Sequence, residues 1–162
     1  MNTKILAGVS VLGLAGAAMA SGDEVVNLGS YTLAANEVAA GAFDNEPNNK
    51  DIVGITIEFD YSENTGGSDG SWASDAKLIL SGSNGFSIDL GGFSSPGAPW
   101  DFDGSGSTNP GHYVHHIDLS GAPIAKGSWD WSFENNWNTD PGANEYNDIT
   151  ITFHKVPAPA SL

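Results

Sequence analysis

The feature that most narrows the fold is a period of two in the apolar residues. Over residues 53–61, Val53, Ile55, Ile57, Phe59 and Tyr61 alternate with Gly54, Thr56, Glu58 and Asp60. A strand with one face buried and one in water reads this way. The pattern recurs with Ala76, Leu78 and Leu80, with Phe86, Ile88 and Leu90, and with Ile149, Ile151 and Phe153. Trp129, Trp131 and Phe133 share one face of a further strand, as do Tyr113, His115, Ile117 and Leu119. Residues 25–33 make a less regular first strand, broken at Gly29. Turn chemistry separates the segments: Ser83-Asn84-Gly85 joins two strands as a hairpin, residues 66–70 form a Gly-rich loop, and residues 94–110 form a long Gly, Ser and Pro excursion. Residues 34–42 are expected to be one helical turn or a loop. Seven or more one-faced strands without a helical stretch must bury their faces against one another. The expected fold is therefore all-β, an antiparallel two-sheet β-sandwich of the jelly-roll type.

The two ends read as sorting signals. Lys4, the apolar run of small residues over 5–18 and the small-x-small stretch Ala18-Met19-Ala20 form a secretory signal peptide over residues 1–20. The apolar run is shorter than the roughly 20 residues that cross a bilayer. Residues 21–155 then form the sandwich. Residues 156–162, Val-Pro-Ala-Pro-Ala-Ser-Leu, form a Pro-rich tail in which two prolines remove backbone donors and favour an extended chain. This tail resembles the opening of a PEP-CTERM sorting signal, with Ala158 where that family has Glu. The resemblance implies a bacterial surface protein whose hydrophobic helix and basic cluster lie beyond Leu162. Any membrane contact would run through that tail.

Five Lys, no Arg and 20 acidic residues give a net charge of -15 in 162 residues. A chain so poor in cations lacks the phosphate-neutralising contacts of nucleic-acid binding. With no Cys, disulfides, thiolate nucleophiles and Cys-ligated metal centres are excluded. The length suits one domain.

The order of strand 53–57, Ser74-Asp75-Ala76-Lys77-Leu78-Ile79-Leu80-Ser81 with its Gly turn and second strand, Gly127-Ser128-Trp129-Asp130-Trp131-Ser132-Phe133, Trp137 and a closing strand 149–153 resembles the P domain of proprotein convertases. The likeness spans about residues 53–153, with Asn135-Asn136 where an Asp is usual in that family. It implies a jelly-roll module of a secreted protein, here with no protease domain ahead of it.

Several residue groups invite chemistry. Asp101, Asp103 and Ser105 place oxygen-bearing side chains at alternate positions of a Gly-containing loop, as calcium sites do, and Asp69 with Asp75 is a second such set. The twelfth position counted from Asp101 is His112, where an EF-hand has Glu, so calcium would sit here as a structural ion in an irregular loop. His112, His115 and His116 form a cluster of imidazoles that suit zinc, with Asp118 beside them. Along a strand, His112 and His116 point opposite to His115, which leaves His115 at the core edge and the others in solvent. Gly66-Gly67-Ser68-Asp69-Gly70 has the spacing of a nucleophile elbow, but a strand follows where a helix is required. Trp72, Trp100 and Trp137 fall in expected loops. They either cover the open ends of the sandwich, the reading preferred here, or form a platform that stacks on sugar rings.

The sequence therefore points to an exported, extracellular or cell-surface protein that is not an enzyme. It acts as a structural, adhesion or interaction module, calcium-stabilised, whose partner is an extracellular polymer or a surface protein. The alternative is a carbohydrate-binding module that holds a glycan through Trp72, Trp100 and Trp137. A small secreted hydrolase is a distant third reading.

Overall fold

The computed structural model describes residues 5–7, 22–44, 52–62, 71–102, 110–137 and 142–156. Its strands are β1 (Ile5–Ala7), β2 (Glu24–Ala34), β3 (Val38–Asp44), β4 (Ile52–Ser62), β5 (Ala76–Gly82), β6 (Ser87–Gly91), β7 (Gly111–Asp118), β8 (Ser128–Asn135) and β9 (Ala143–Lys155). Among the described residues the helical content is a single 3-10 turn at Ala73–Asp75. They form two sheets, ordered β1-β3-β8-β5-β6 and β2-β9-β4-β7.

The pairing has a simple logic. β2 pairs with β9, β3 with β8, β4 with β7 and β5 with β6, all antiparallel. These pairs fall alternately in the two sheets. The chain is thus one long antiparallel ribbon rolled on itself, which is jelly-roll connectivity. β1 adds a short parallel contact at the β3 edge, with Ile5 opposite Val38. It lies within the stretch read as a leader.

The alternating residues supply the core. Ile55, Ile57, Phe59, Tyr61, Tyr146, Ile149, Ile151 and Phe153 from one sheet meet Leu78, Leu80, Trp129, Trp131 and Phe133 from the other, all buried. Rings interlock across the gap: Phe59 and Phe133 have centroids 5.4 Å apart at 76°, and Trp129 and Phe153 are 5.1 Å apart. Edge-on and offset contacts of this kind stabilise beyond the area they bury. The first strand is irregular where expected, because its register with β9 shifts on both sides of Gly29, whose φ is +106°.

The expectation of a helical turn or loop over residues 34–42 is corrected. Only Ala35 and Asn36 turn, and Val38 already opens β3. Ala39, Ala40, Gly41 and Ala42 show no large-small alternation because all four are small, and at Gly41 the Trp131 ring occupies the space of a side chain. A Cβ at Gly41 would stand 2.9 Å from the Trp131 indole nitrogen. Gly41 makes room for the ring, and the run of small residues leaves the period of two present in the backbone and invisible in the side chains.

Candidate functional site

A largely apolar cleft of about 320 Å³ lies beside β5 and β6, with Trp72, Phe93 and Trp137 in its lining. Three segments bring these rings together. Trp72 precedes the 3-10 turn: its N–H donates to the Asp75 carboxylate at 2.7 Å, and the Asp75 N–H donates back to the Trp72 carbonyl at 2.9 Å. Phe93 follows Gly91 and Gly92, with φ of +68° and +94°. At Gly91 no side chain fits, since a Cβ would lie 2.0 Å from the Ala76 carbonyl oxygen. That left-handed pair turns the chain out of β6 and back over the sheet.

Asn136 fastens the loop to the end of β8. Its buried side chain accepts from the Ser95 N–H at 3.0 Å, and its carbonyl accepts from the Ser94 N–H at 3.2 Å and the Ser94 hydroxyl at 3.0 Å. Lys77, buried although it sits at an expected outward position, donates to the Ser95 carbonyl and pairs with Asp89 at 3.1 Å. So held, Phe93 packs against Trp137 with centroids 4.3 Å apart at 53°. Trp72 and Phe93 are each 52% exposed, which is unusual for rings of their size on a fixed framework.

The three tryptophans expected in loops therefore divide. Trp72 and Trp137 line one cleft, but Trp100 is only 2% exposed. Its indole N–H donates to the Ala76 carbonyl at 2.9 Å and its ring stacks on Phe102 at 5.3 Å and 15°. Trp100 is a core residue that no surface platform can use. Phe93 takes the third place. The signal for it was a lone aromatic in a Gly-Gly-x-Ser-Ser run, where no strand period claims the ring.

Of the residues read as calcium ligands, Asp103, Ser105 and Asp69 lie outside the described residues, as does Ser68 of the serine motif. Asp75 is 5% exposed and holds the Trp72 turn. Asp101 accepts from the His116 N–H at 3.1 Å, and its own N–H donates to His115 Nδ1 at 3.0 Å. Asp75 thus closes a local turn, and Asp101 ties its loop to β7.

The histidines face as the strand period requires: His115 is buried, whereas His112 and His116 are exposed on the outer face of the β2-β9-β4-β7 sheet. His112 Nδ1 lies 2.7 Å from the Asp60 carboxylate and its Nε2 lies 3.6 Å from Glu58. On the same strand as His116, Asp118 is held below the ordinary carboxyl range by the Ser120 N–H and hydroxyl. Among the described residues, no helix is long and apolar enough to cross a membrane.

No protein-family model and no curated protein matches the chain. Among solved structures it is similar to a chain of the structure of infectious bursal disease virus, Gx strain, at 12% identity and a TM-score of 0.32. That likeness covers 82% of this chain and 32% of the other.

Proposed function

We propose that this chain is an exported, non-catalytic adhesion module of a bacterial surface or matrix, and that it grips a neutral sugar of an extracellular polymer in the cleft of Trp72, Phe93 and Trp137. The observation that carries the reading is the meeting of two half-exposed rings and Trp137 around one concave, mostly apolar space. The axial C–H face of a pyranose is itself apolar and flat, so aromatic walls remove it from water while its hydroxyls stay solvated. A net charge of -15 opposes anionic polymers, so neutral ones are favoured over them.

The leader over residues 1–20, the PEP-CTERM-like tail over 156–162 and the resemblance to the P domain support export and a module role. Asp101, Asp103 and Ser105, with Asp69 and Asp75 as a second set, are the proposed ligands of a structural calcium ion that would brace loops of the same sandwich.

The test is retention of the purified chain on insoluble neutral polysaccharides, cellulose and chitin among them, compared with Trp72→Ala and Phe93→Ala. Retention that both substitutions weaken is the expected result. A chain that passes through every neutral polysaccharide, yet is held by other surface proteins, would move the contact to a protein partner.

A further inference from the structure

The outer face of the β2-β9-β4-β7 sheet carries a second constellation, independent of the aromatic cleft. Thr56 on β4 stands between two imidazoles: its Oγ1 is 2.7 Å from His154 Nε2 on β9 and 3.0 Å from His116 Nδ1 on β7. His154 Nδ1 in turn lies 3.0 Å from the Asp23 carboxylate. A carboxylate has lone pairs only, so in the neutral ring the Nδ1 proton of His154 points at Asp23 and the Nε2 lone pair points at Thr56. The hydroxyl has one proton and gives it to that lone pair, and its own oxygen accepts from His116. Two ring nitrogens from separate strands thus converge on one oxygen atom.

The register leaves space there. Gly54, two residues before Thr56, is paired with both Asp118 and His154. An imidazole and a carboxylate therefore flank a strand position that has no side chain. The resulting hollow, about 260 Å³, is lined by Gly54, Thr56, His116, Asp118 and His154 among others. A Cβ at Gly54 would stand 3.4 Å from His154 Cδ2, so any larger residue would begin to fill it.

We infer that this hollow binds a divalent transition-metal ion of the imidazole-preferring kind, zinc or copper, through His154 Nε2 and His116 Nδ1, with water completing the coordination. Imidazole nitrogen suits both ions. The Asp23 contact is the outer carboxylate that metal-bound histidines characteristically hold, fixing the tautomer and raising the basicity of the ligating nitrogen. On binding, the Thr56 hydroxyl gives up its two imidazole contacts. The His116 proton moves from Nδ1 to Nε2 through water, which frees the second lone pair. Asp118 supplies negative charge at the rim of the hollow. Among the described residues no three His, Asp or Glu side chains stand together as a ready-made ligand set, so this is a two-imidazole site, open to solvent and to a ligand from outside.

The test is calorimetric titration of the untagged full chain with zinc chloride, repeated with copper sulfate. One saturable equivalent is expected. His116→Ala and His154→Ala should each weaken it at least tenfold, and Asp23→Asn should weaken it by about tenfold or more. His112→Ala, on the same face with its own carboxylate partners, should leave it unchanged. The inference is overturned if no saturable binding occurs, if binding survives loss of both His116 and His154, or if His112→Ala costs as much. Should a variant fail to fold, imidazole NMR of the unsubstituted chain decides. Zinc must shift the ring signals of His116 and His154 and spare those of His112, and any other pattern rejects the site.

Discussion

Replacing Trp72 by Ala separates a binding ring from a packing ring. A tryptophan side chain presents up to about 250 Å² to its surroundings. At 52% exposure, about 130 Å² of it is left open to solvent in the folded chain. A sugar stacked on one side would cover about half of that, or about 65 Å². At about 25 cal/mol per Å², the contact is worth about 1.5 kcal/mol, roughly tenfold in affinity. The cost to folding should be smaller, because the bond from residue 72 to Asp75 is made by the backbone N–H and survives the substitution. A surface truncation of this kind usually stays within about 0.5 kcal/mol. Affinity electrophoresis in a soluble form of the retaining polysaccharide measures the first quantity, and urea denaturation the second. The reasoning fails if Trp72→Ala binds as tightly as the parent chain. It also fails if affinity falls only in proportion to a loss of several kcal/mol of stability, since the ring would then be part of the core.

Three other outcomes follow from the same geometry. Phe59 is 1% exposed and meets the rings of Trp100, Phe102, Tyr113, Phe133 and Tyr146, so Phe59→Ala should cost about 3–5 kcal/mol in urea denaturation, a large share of a domain's stability. Burial pushes the Tyr146 phenol above its ordinary value. The unfolded chain therefore loses that proton first, near pH 10, while the folded chain keeps it. Stability present below pH 10 should decline above it by up to about 1.4 kcal/mol per pH unit, and Tyr146→Phe should flatten the slope of an alkaline denaturation series. Asp101→Ala removes the acceptor of the His116 N–H and should lower stability by about 1 kcal/mol in chelator as well as in calcium, measured by thermal melts in both. A loss seen only with calcium would instead make Asp101 an ion ligand.

The two sheets were legible in the sequence because alternation reports which face of a strand is buried, and nearly every alternating ring or branched residue found the core. What alternation cannot report is a strand that a neighbour covers. At Gly41 of β3 the Trp131 ring fills the space a side chain would take, so that position is explained by β8 and not by its own sequence neighbours. Trp100 misled for a related reason. Its loop folds inward, and the hydrogen bond to Ala76 that holds it there joins residues 24 apart. Local spacing picks out Asp75 and Asp101 as carboxylates; it does not show that they also accept from the backbone N–H groups of Trp72 and His116. The cleft was half visible, through Trp72 and Trp137. The imidazole pair was invisible, since His116 and His154 meet only through the register of β7, β4 and β9.

The rolled ribbon places the two proposed sites on different sheets, and this sets an expectation for how they act together. The cleft belongs to the loops around β5, β6 and β8, while the imidazole hollow lies on the outer face of β4, β7 and β9. Packed sheets stand about 10 Å apart, and the linings of the two sites share no residue. Between them lies a close-packed aromatic core, which resists small displacements instead of passing them on as a second arrangement. Coupling between sites needs an element with two arrangements that both ligands bias. The described fold offers rigid strands on both sides. Saturating zinc should therefore leave polysaccharide affinity unchanged within about 0.5 kcal/mol, and Trp72→Ala should leave zinc affinity unchanged to the same degree. Affinity electrophoresis with and without zinc measures the first, and titration of the Trp72→Ala chain measures the second. A shift of tenfold in either direction would mean that the polymer also touches the metal, bridging the sandwich around its edge, and the contact surface would then have to be redrawn across both sheets.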